Sequence, residues 1–201
     1  MIKIYGSTMS TAGRCIWMAE EAGQPIENVI LDWAKGEMKS PEYLKLNPNG
    51  KVPTMVDGDL VMFESLAING YLAEKYKPEM MGPTIEDRAR VSMWSYWGIA
   101  NLSHAGEAVI LQKYRNTPES DETTRSRETL AKLLPILDNA LTGKNYLVAD
   151  MFTVADLNNA DIVRGLGWAG IDMTPYANIT RWMTTIAQRP AYQKTIGAKQ
   201  A

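Results

Sequence analysis

The first third of the chain alternates between apolar runs of strand length and stretches with helical spacing. Residues 2–5 predict a short strand, and apolar residues at helical intervals over 15–22 predict a helix after it. Residues 29–31 are apolar and largely β-branched, which predicts a second strand. The pair Ser40-Pro41 predicts the start of a short helix, because serine caps helices and proline suits the first helical position.

A hairpin and a further helix complete this part of the chain. Residues 52–56 and 60–63 are apolar runs on either side of an Asp-Gly pair, which is a strong hairpin signal. The apolar stripe over 68–76 predicts a helix that begins near residue 65 and that Pro78 ends. The order of strand, helix, strand, short helix, hairpin and helix predicts a small mixed sheet with helices on its faces.

From residue 84 onward the pattern is helical to the end of the chain. Residues 78–83 contain two prolines and a glycine, which is typical of a linker. The predicted fold class is therefore α/β plus all-α. An α/β domain with the order βαβαββα occupies 1–77, and an all-helical domain occupies 84–201.

Residues that cap helices mark several helix starts in the second domain. Thr117-Pro118 and Thr174-Pro175 each combine a hydroxyl group with a proline suited to the first turn. Thr153 and Asp156 form a further capping pair. Pro135 lies inside a stripe of leucines, so the helix is expected to kink there.

The composition excludes several classes of protein. With 45% hydrophobic residues among 201, the chain can bury a core and is not disordered as a whole. A net charge of -2 gives no basic surplus for a phosphate backbone, so no nucleic-acid partner is expected. No apolar run approaches the roughly 20 residues that span a bilayer, so we expect no membrane association and a cytoplasmic location. One cysteine and one histidine leave no His/Cys cluster for zinc. Counting residues does not exclude a Mg²⁺ or Ca²⁺ site of carboxylates alone, but the sequence has no EF-hand spacing.

Pro53 opens the first strand of the hairpin, and two interpretations of it remain open. It is either an ordinary proline at a strand start or a cis-proline that turns the chain and exposes the backbone N–H and C=O of Val52. Exposed backbone groups of this kind pair with an extended peptide as another strand would.

Glu64 and Ser65 stand where a strand is predicted to end and a helix to begin. The free N–H groups and the positive dipole end of that helix favour a carboxylate, and Glu64 beside them can hold an ammonium group. A ligand that carries both an α-amino and an α-carboxylate group fits this pair. Alternatively, Ser65 only caps the helix.

Residues 7–11 form a hydroxyl-rich loop just before the first predicted helix. These hydroxyls either cap the helix or donate to an anion such as a thiolate. A free thiol has a pKa of about 8.5, and lowering it by about two units requires about 2.7 kcal/mol of preference for the thiolate. One hydrogen bond to a charged group supplies about 1.5–3 kcal/mol, so one hydroxyl with the helix dipole suffices without a general base.

The motifs around Pro53 and Glu64 carry a family resemblance. They read NPNGKVPTMVD over 47–57 and FESLAI over 63–68, and together they resemble the cytosolic glutathione transferases. The resemblance implies a thioredoxin-like N-terminal domain, an all-α C-terminal domain and a homodimer. It also implies glutathione, the tripeptide γ-Glu-Cys-Gly, as co-substrate, and no metal.

The resemblance also implies a set of glutathione-binding residues: Lys39, Lys51, Val52, Pro53, Glu64 and Ser65. In the family, the residue that matches Val52 pairs its backbone with the cysteinyl part of glutathione. Those that match Glu64 and Ser65 hold the γ-glutamyl ammonium and carboxylate. Lys39 and Lys51 are expected to meet the glycyl carboxylate.

The residue that activates the thiol is expected in the hydroxyl-rich loop. Ser10 falls where bacterial members of the cysteine type carry their cysteine. With Arg14 as the anchor, it also falls where the insect and theta-like enzymes carry serine. Ser7, Thr8 and Thr11 remain alternatives, because the loop reproduces neither class motif.

The second substrate is expected to be a hydrophobic electrophile held by the helical domain. Helix position alone gives Tyr96, Trp97, His104 and Trp168 as the candidate pocket residues. The resemblance thus implies a glutathione S-transferase that forms a thioether. Reductive cleavage, peroxidase or isomerase chemistry at the same glutathione site, or a non-catalytic interaction module of the same fold, are the alternatives. Asp156 matches a buried helix-capping acid of the family, which implies a structural role.

Overall fold

The computed structural model describes residues 1–197, which form two compact units. One holds Met1–Met81 together with the segment that begins at Gln188, and the other is Gly82–Ala187. The sequence prediction placed the domain boundaries at 77 and 84 and assigned the C-terminal end to the helical domain. In the structure, the last helix packs instead on the first helix of the N-terminal unit.

The N-terminal unit is built on a four-stranded mixed sheet. Its strands are β1 (Ile2–Tyr5), β2 (Ile26–Val29), β3 (Thr54–Asp57) and β4 (Leu60–Phe63), in the spatial order β2-β1-β3-β4. β1 is parallel to β2 and antiparallel to β3, and β3 and β4 form the predicted hairpin. The prediction of the second strand at 29–31 was wrong in position. Pairing with β1 begins at Ile26 and ends at Val29, and Ile30 beyond it is exposed.

The helices of the described residues are α1 (Gly13–Glu21), α2 (Pro41–Leu46), α3 (Ser65–Tyr76), α4 (Ile85–Trp97), α5 (His104–Arg115), α6 (Asp121–Ala140), α7 (Val154–Trp168), α8 (Ala177–Ala187) and α9 (Pro190–Thr195). A π-helical segment, Gly98–Ser103, joins α4 to α5. The first three helices and α9 belong to the N-terminal unit, and the others form the helical unit. The α/β and all-α character predicted for the two parts is confirmed.

Capping residues explain where helices begin. Ser40 caps α2 as predicted, because its hydroxyl accepts the N–H of Tyr43 at 3.2 Å. The predicted helix start at 117 was wrong, since α6 begins at Asp121. There Ser120 and Thr123 cap each other: each side-chain oxygen accepts the backbone N–H of the other residue.

Two prolines singled out in the helical unit lie in different settings, one before a helix and one inside a helix. The start predicted at 174 was wrong, because α8 begins at Ala177. Thr174 instead forms hydrogen bonds with a preceding residue, because its N–H and hydroxyl donate to Asp172 Oδ1 at 2.9 and 2.8 Å. Pro135 lies inside α6, and the helix continues through it to Ala140.

Asp57 joins the hairpin to α3. Its Oδ2 accepts hydrogen bonds from Tyr71 OH at 2.7 Å, Lys75 Nζ at 2.7 Å and Tyr76 OH at 3.0 Å. The bond from Lys75, followed by that from Tyr71, lowers the pKa of Asp57. One carboxylate therefore ties the end of β3 to the C-terminal part of α3.

We expect Asp57→Asn to lower the free energy of unfolding by about 1–2 kcal/mol at neutral pH, because an amide replaces an ionised acceptor of three hydrogen bonds. Since the folded pKa is depressed, this stabilisation is present above the ordinary value of 3.8 and is lost as the pH falls through the lowered value. Urea unfolding should therefore show that the difference in unfolding free energy between wild type and variant becomes smaller at acidic pH. Asp59→Asn, in the exposed turn, is the control; equal effects of the two substitutions would contradict this role.

Candidate functional site

The end of β1, the loop before α1 and Val52 meet at Gly6. Gly6 has φ +121°, and a Cβ built on it would lie 2.6 Å from Ala12 Cβ, 3.0 Å from Val52 Cβ and 3.2 Å from Ser10 Oγ. A residue without a side chain is what leaves room for this convergence. Asn28 of β2 fixes the same point, because its Nδ2 donates to the Gly6 carbonyl at 2.7 Å.

Ser10 lies in the turn that opens α1. Its hydroxyl donates to the carbonyl oxygen of Ser7 at 2.8 Å and accepts the N–H of Ala12 at 3.2 Å. Its backbone carbonyl accepts the N–H of Gly13, the first residue of α1, at 2.9 Å. The half-buried hydroxyl therefore stands at a helix N-terminus, where the helix dipole favours an anion.

The other three candidate hydroxyls have different surroundings. Thr11 Oγ1 donates to the Val52 carbonyl at 3.1 Å, so its proton is used in holding the residue with which a peptide is expected to pair. Ser7 meets Ser10 through its carbonyl oxygen. Thr8 Oγ1 is buried and has no partner among residues 1–197. Thr11 thus contacts Val52 directly, whereas Ser10 Oγ and Val52 Cβ lie 3.2 and 3.0 Å from the same point, the position of a Cβ on Gly6.

The peptide bond between Val52 and Pro53 is cis, in agreement with the second interpretation of this proline. The chain is fixed directly before Val52 by two side chains. The carbonyl oxygen of Lys51 accepts a hydrogen bond from Tyr43 OH at 2.7 Å and another from Asn47 Nδ2 at 2.8 Å.

The same two side chains fix the chain after the proline. Tyr43 OH lies 2.7 Å from Thr54 Oγ1, and Asn47 Nδ2 donates to that oxygen at 3.2 Å. All three side chains are buried, and burial raises the pKa of Tyr43, which keeps the phenol protonated. Sequence reasoning missed Tyr43 and Thr54 as positioning residues. The NPNG motif, which contains Asn47, was the sequence signal that could have pointed to this network.

Lys39 lies over the NPNG loop. Its Nζ donates to the Asn49 carbonyl at 3.2 Å and is 2.5 Å from the position of a Cβ on Gly50. Lys51 follows the same loop directly, and both lysines are exposed. Both lysines are therefore connected to the loop that leads into Val52, where a carboxylate can reach them from solvent.

Glu64 precedes α3 and has a positive φ of 72°, which is uncommon for a residue with a side chain. Its side chain is exposed and does not cap the helix. The first N–H groups of α3 are thus not capped by this residue and can bind a carboxylate. Ser65, the first helical residue, is buried, and its carbonyl oxygen accepts a hydrogen bond from Cys15 Sγ at 3.6 Å, which fastens α3 to α1.

The predicted pocket residues lie in the helical unit. Tyr96, 65% exposed, and Trp97 end α4, and Trp97 meets Trp94 edge-on at 5.2 Å. His104 begins α5 and lines a groove of about 910 Å³ beside the first turns of α6. Trp168 ends α7 and is 43% exposed. Among the described residues of this unit, His104 lines the groove, whereas Tyr96, Trp97 and Trp168 do not.

Both parts of the chain match sequence models of known protein families. Residues 1–74 match the glutathione S-transferase N-terminal domain, and 103–190 match the glutathione S-transferase C-terminal domain. A probable glutathione S-transferase, GSTF2 of Oryza sativa subsp. japonica, is 33% identical across 96% of this chain and 94% of its own length. The chain belongs to the glutathione S-transferase family.

Other members of the family are similarly close. Glutathione S-transferase 1 of Zea mays is 34% identical over 96% of this chain and 94% of its own. Glutathione S-transferase-I bound with lactoylglutathione has a TM-score of 0.88 and 33% identity, with 98% of both chains covered. Glutathione S-transferase I from mais, in complex with an atrazine glutathione conjugate, has a TM-score of 0.88 and 32% identity over 100% of this chain and 99% of that one.

These similarities confirm the expected family and the thioredoxin-like and all-α fold, and they make this chain a glutathione-dependent transferase rather than a non-catalytic module. Among residues 1–197, no group of three or more His, Cys, Asp or Glu side chains is arranged to hold a metal ion. In the same range, every helix is too short or too polar to cross a membrane.

Proposed function

We propose that this enzyme joins glutathione to a hydrophobic electrophile, with Ser10 holding the glutathione sulfur as a thiolate. The observation that carries the assignment is the position of the Ser10 hydroxyl just before the first turn of α1, where Ser10 Oγ and Val52 Cβ lie 3.2 and 3.0 Å from the position of a Cβ on Gly6. Two similar proteins have been solved with lactoylglutathione and with an atrazine glutathione conjugate, both derivatives of the tripeptide.

Glutathione lies along Val52 as an additional strand. Its cysteinyl N–H and C=O pair with the backbone of Val52, whose carbonyl oxygen has two lone pairs. The γ-glutamyl carboxylate binds at Ser65 and the first N–H groups of α3, and the ammonium group meets Glu64. Lys39 and Lys51 attract the glycyl carboxylate.

The Ser10 hydroxyl changes its acceptor when the thiolate binds. In the structure it donates to the Ser7 carbonyl. Such a neutral bond contributes about 0.5–1.5 kcal/mol, whereas a bond to a charged group contributes about 1.5–3 kcal/mol. Rotation about the C–O bond redirects the proton to sulfur, while the Ala12 N–H keeps Oγ in place. Ser10 stabilises the anion, and the proton of the thiol goes to solvent.

The thiolate then attacks the electrophile. A sulfur lone pair forms the new C–S bond, and the displaced electron pair departs with the leaving group or, for an activated double bond, moves onto the electron-withdrawing group. The helical unit supplies the apolar surface for this second substrate. Its proposed contacts are Tyr96, Trp97, His104 and Trp168.

A homodimer in the cytoplasm is part of the same proposal. β4 lies at an edge of the sheet and exposes Leu60, Val61 and Phe63 to 39–40%. An apolar strand at a sheet edge is a surface that another chain covers readily. Analytical ultracentrifugation would give the assembly mass directly, and a monomer at micromolar concentration would contradict the dimer.

Calorimetry with glutathione tests the binding half of the proposal. We expect Glu64→Gln and Ser65→Ala each to weaken binding by about tenfold, since each removes one contact to a charged group worth about 1.4 kcal/mol. Glu79→Gln, an exposed charge elsewhere in the same unit, should leave the affinity unchanged. If folded wild-type protein releases no heat with millimolar glutathione, the proposed function is wrong.

A further inference from the structure

The last helix packs on α1. Arg189, just before α9, forms two bonds of 2.7 Å with the buried carboxylate of Glu21, at the end of α1. Trp17, one turn earlier in α1, donates from Nε1 to the same carboxylate at 3.1 Å. Tyr192 of α9 meets the Trp17 ring edge-on, with the ring centroids 5.1 Å apart. Lys194 of α9 also donates to Glu20 of α1 at 2.7 Å, so several side chains fasten α9 to the C-terminal part of α1.

Ile196, directly after α9, lies against the residue that begins α1. Its Cδ1 lies 3.2 Å from the position that a Cβ on Gly13 would occupy, and its side chain is 4% exposed. The carbonyl oxygen of Thr8 is 2.5 Å from the same position. The loop and Ile196 thus meet at Gly13, whose N–H donates to the Ser10 carbonyl at 2.9 Å.

We propose that Ile196 is a positioning residue for the transferase reaction, because it holds Gly13 and, through Gly13, the turn that carries the Ser10 hydroxyl. This inference rests on the proposed role of Ser10. The strength of a hydrogen bond falls steeply as its geometry departs from alignment. A small displacement of Ser10 therefore raises the pKa of the bound thiol, while binding at Val52 and Glu64 is retained.

Ile196→Val is the sharpest test, since it removes the Cδ1 atom that meets Gly13 and keeps the rest of the side chain. Ile196→Ala enlarges the change. Ile179→Val is the matched control, because it takes the same atom from a fully buried isoleucine on α8 in the helical unit. The ultraviolet absorbance of the bound thiolate, followed against pH, gives the pKa of the thiol, and kcat/KM against pH gives it independently.

We expect the thiol pKa to rise by about 0.3–0.5 units in Ile196→Val and by about one unit in Ile196→Ala, which leaves about two- to threefold and about tenfold less thiolate below the pKa. The KM for glutathione should stay within about twofold of wild type, because Val52, Glu64 and Ser65 are untouched. Ile179→Val should lower the melting temperature to a similar degree as Ile196→Val without moving the thiol pKa.

An unchanged thiol pKa in Ile196→Val and Ile196→Ala, or an equal shift in Ile179→Val, would overturn the positioning role. If Ile196→Ala does not fold, Ile196→Val decides. Ser10→Ala, measured in the same series, separates the two proposals. If it leaves the thiol pKa unchanged, activation by Ser10 is itself wrong. If it raises the pKa and the Ile196 variants do not, the inference about Ile196 alone is wrong.

Discussion

Ser10→Ala is expected to lower kcat/KM by about 10–100-fold at neutral pH. The substitution removes the hydroxyl that stands at the N-terminus of α1. A hydrogen bond to a charged group contributes about 1.5–3 kcal/mol, and 1.36 kcal/mol corresponds to one pKa unit. The pKa of the bound thiol should therefore rise by about one to two units, and the fraction of thiolate at neutral pH should fall accordingly.

The pH profile of kcat/KM distinguishes this cause from a loss of fold. The deficit of Ser10→Ala should shrink as the pH rises above the raised thiol pKa, because the thiolate then forms without the hydroxyl. Ser7→Ala is the control within the loop, since Ser7 meets Ser10 through a carbonyl that the substitution keeps. If Thr8→Ala, Thr11→Ala or Ser7→Ala shows this pH-dependent deficit and Ser10→Ala does not, the activating hydroxyl has been assigned to the wrong residue.

Local sequence signals were sufficient for the backbone features of the N-terminal unit at which we propose that glutathione binds. The Asp-Gly pair required a tight turn, and the register from Asp57 to Leu60 supplies it. The motif around Pro53 placed Val52, and the junction at Glu64 and Ser65 fell at the start of α3 as expected. These features depend on backbone conformation over a few residues, which a proline, a glycine or a helix start determines directly.

Local sequence signals could not predict contacts between side chains and the segments that they meet in the fold. The loop offers four hydroxyl residues that the sequence alone does not rank: Ser7, Thr8, Ser10 and Thr11. In the structure their hydrogen bonds differ, because the hydroxyl of Thr11 donates to Val52 and that of Ser10 donates to Ser7. The pairing of α9 with α1 joins residues 168 positions apart. Hydrophobic periodicity identifies the buried face of a helix but not the partner that covers it.

The candidate pocket shows a further reason why sequence reasoning reached a limit. Tyr96, Trp97 and His104 were chosen from helix position alone. The π-helical segment Gly98–Ser103 lies between the first two and the third. Because a π turn contains more residues than an α turn, it rotates the faces of the helix that follows it. A period of 3.6 residues therefore does not relate positions before and after this segment.

The second large effect is expected at Asp156, which organises the core of the helical unit. It is fully buried, and its carboxylate accepts four hydrogen bonds. Leu147 N–H and Trp182 Nε1 donate to Oδ1 at 2.9 and 3.0 Å, and Thr153 N–H and Oγ1 donate to Oδ2 at 3.0 and 2.9 Å. The cap pair predicted at Thr153 and Asp156 is confirmed, and the same carboxylate also joins the chain before α7 to a tryptophan of α8.

Asp156→Ala should remove a large share of the stability of the enzyme. It leaves four buried donors without an acceptor, at about 1–3 kcal/mol each, against a total stability of about 5–15 kcal/mol. We expect the melting temperature to fall by about 10 °C or more. Calorimetric melting measures the loss. Asp156→Asn, which keeps the size and one acceptor oxygen, should lose clearly less, and similar losses in both variants would show that the hydrogen bonds are not the cause.

The same carboxyl group predicts a pH dependence with a definite sign. Burial raises the pKa of Asp156 to about 6, although the hydrogen bonds from Leu147, Thr153 and Trp182 act to lower it. A raised pKa means that folding takes up a proton between about pH 4 and 6, so the stabilisation from this group is complete below the unfolded value and is lost as the pH rises through about 6. Relative to Asp156→Asn, the wild type should therefore lose up to about 3 kcal/mol of unfolding free energy from pH 4 to pH 7. Urea unfolding of both proteins across that range measures this difference in unfolding free energy. If the difference does not change with pH, Asp156 stays ionised throughout, because its four hydrogen-bond donors outweigh its burial.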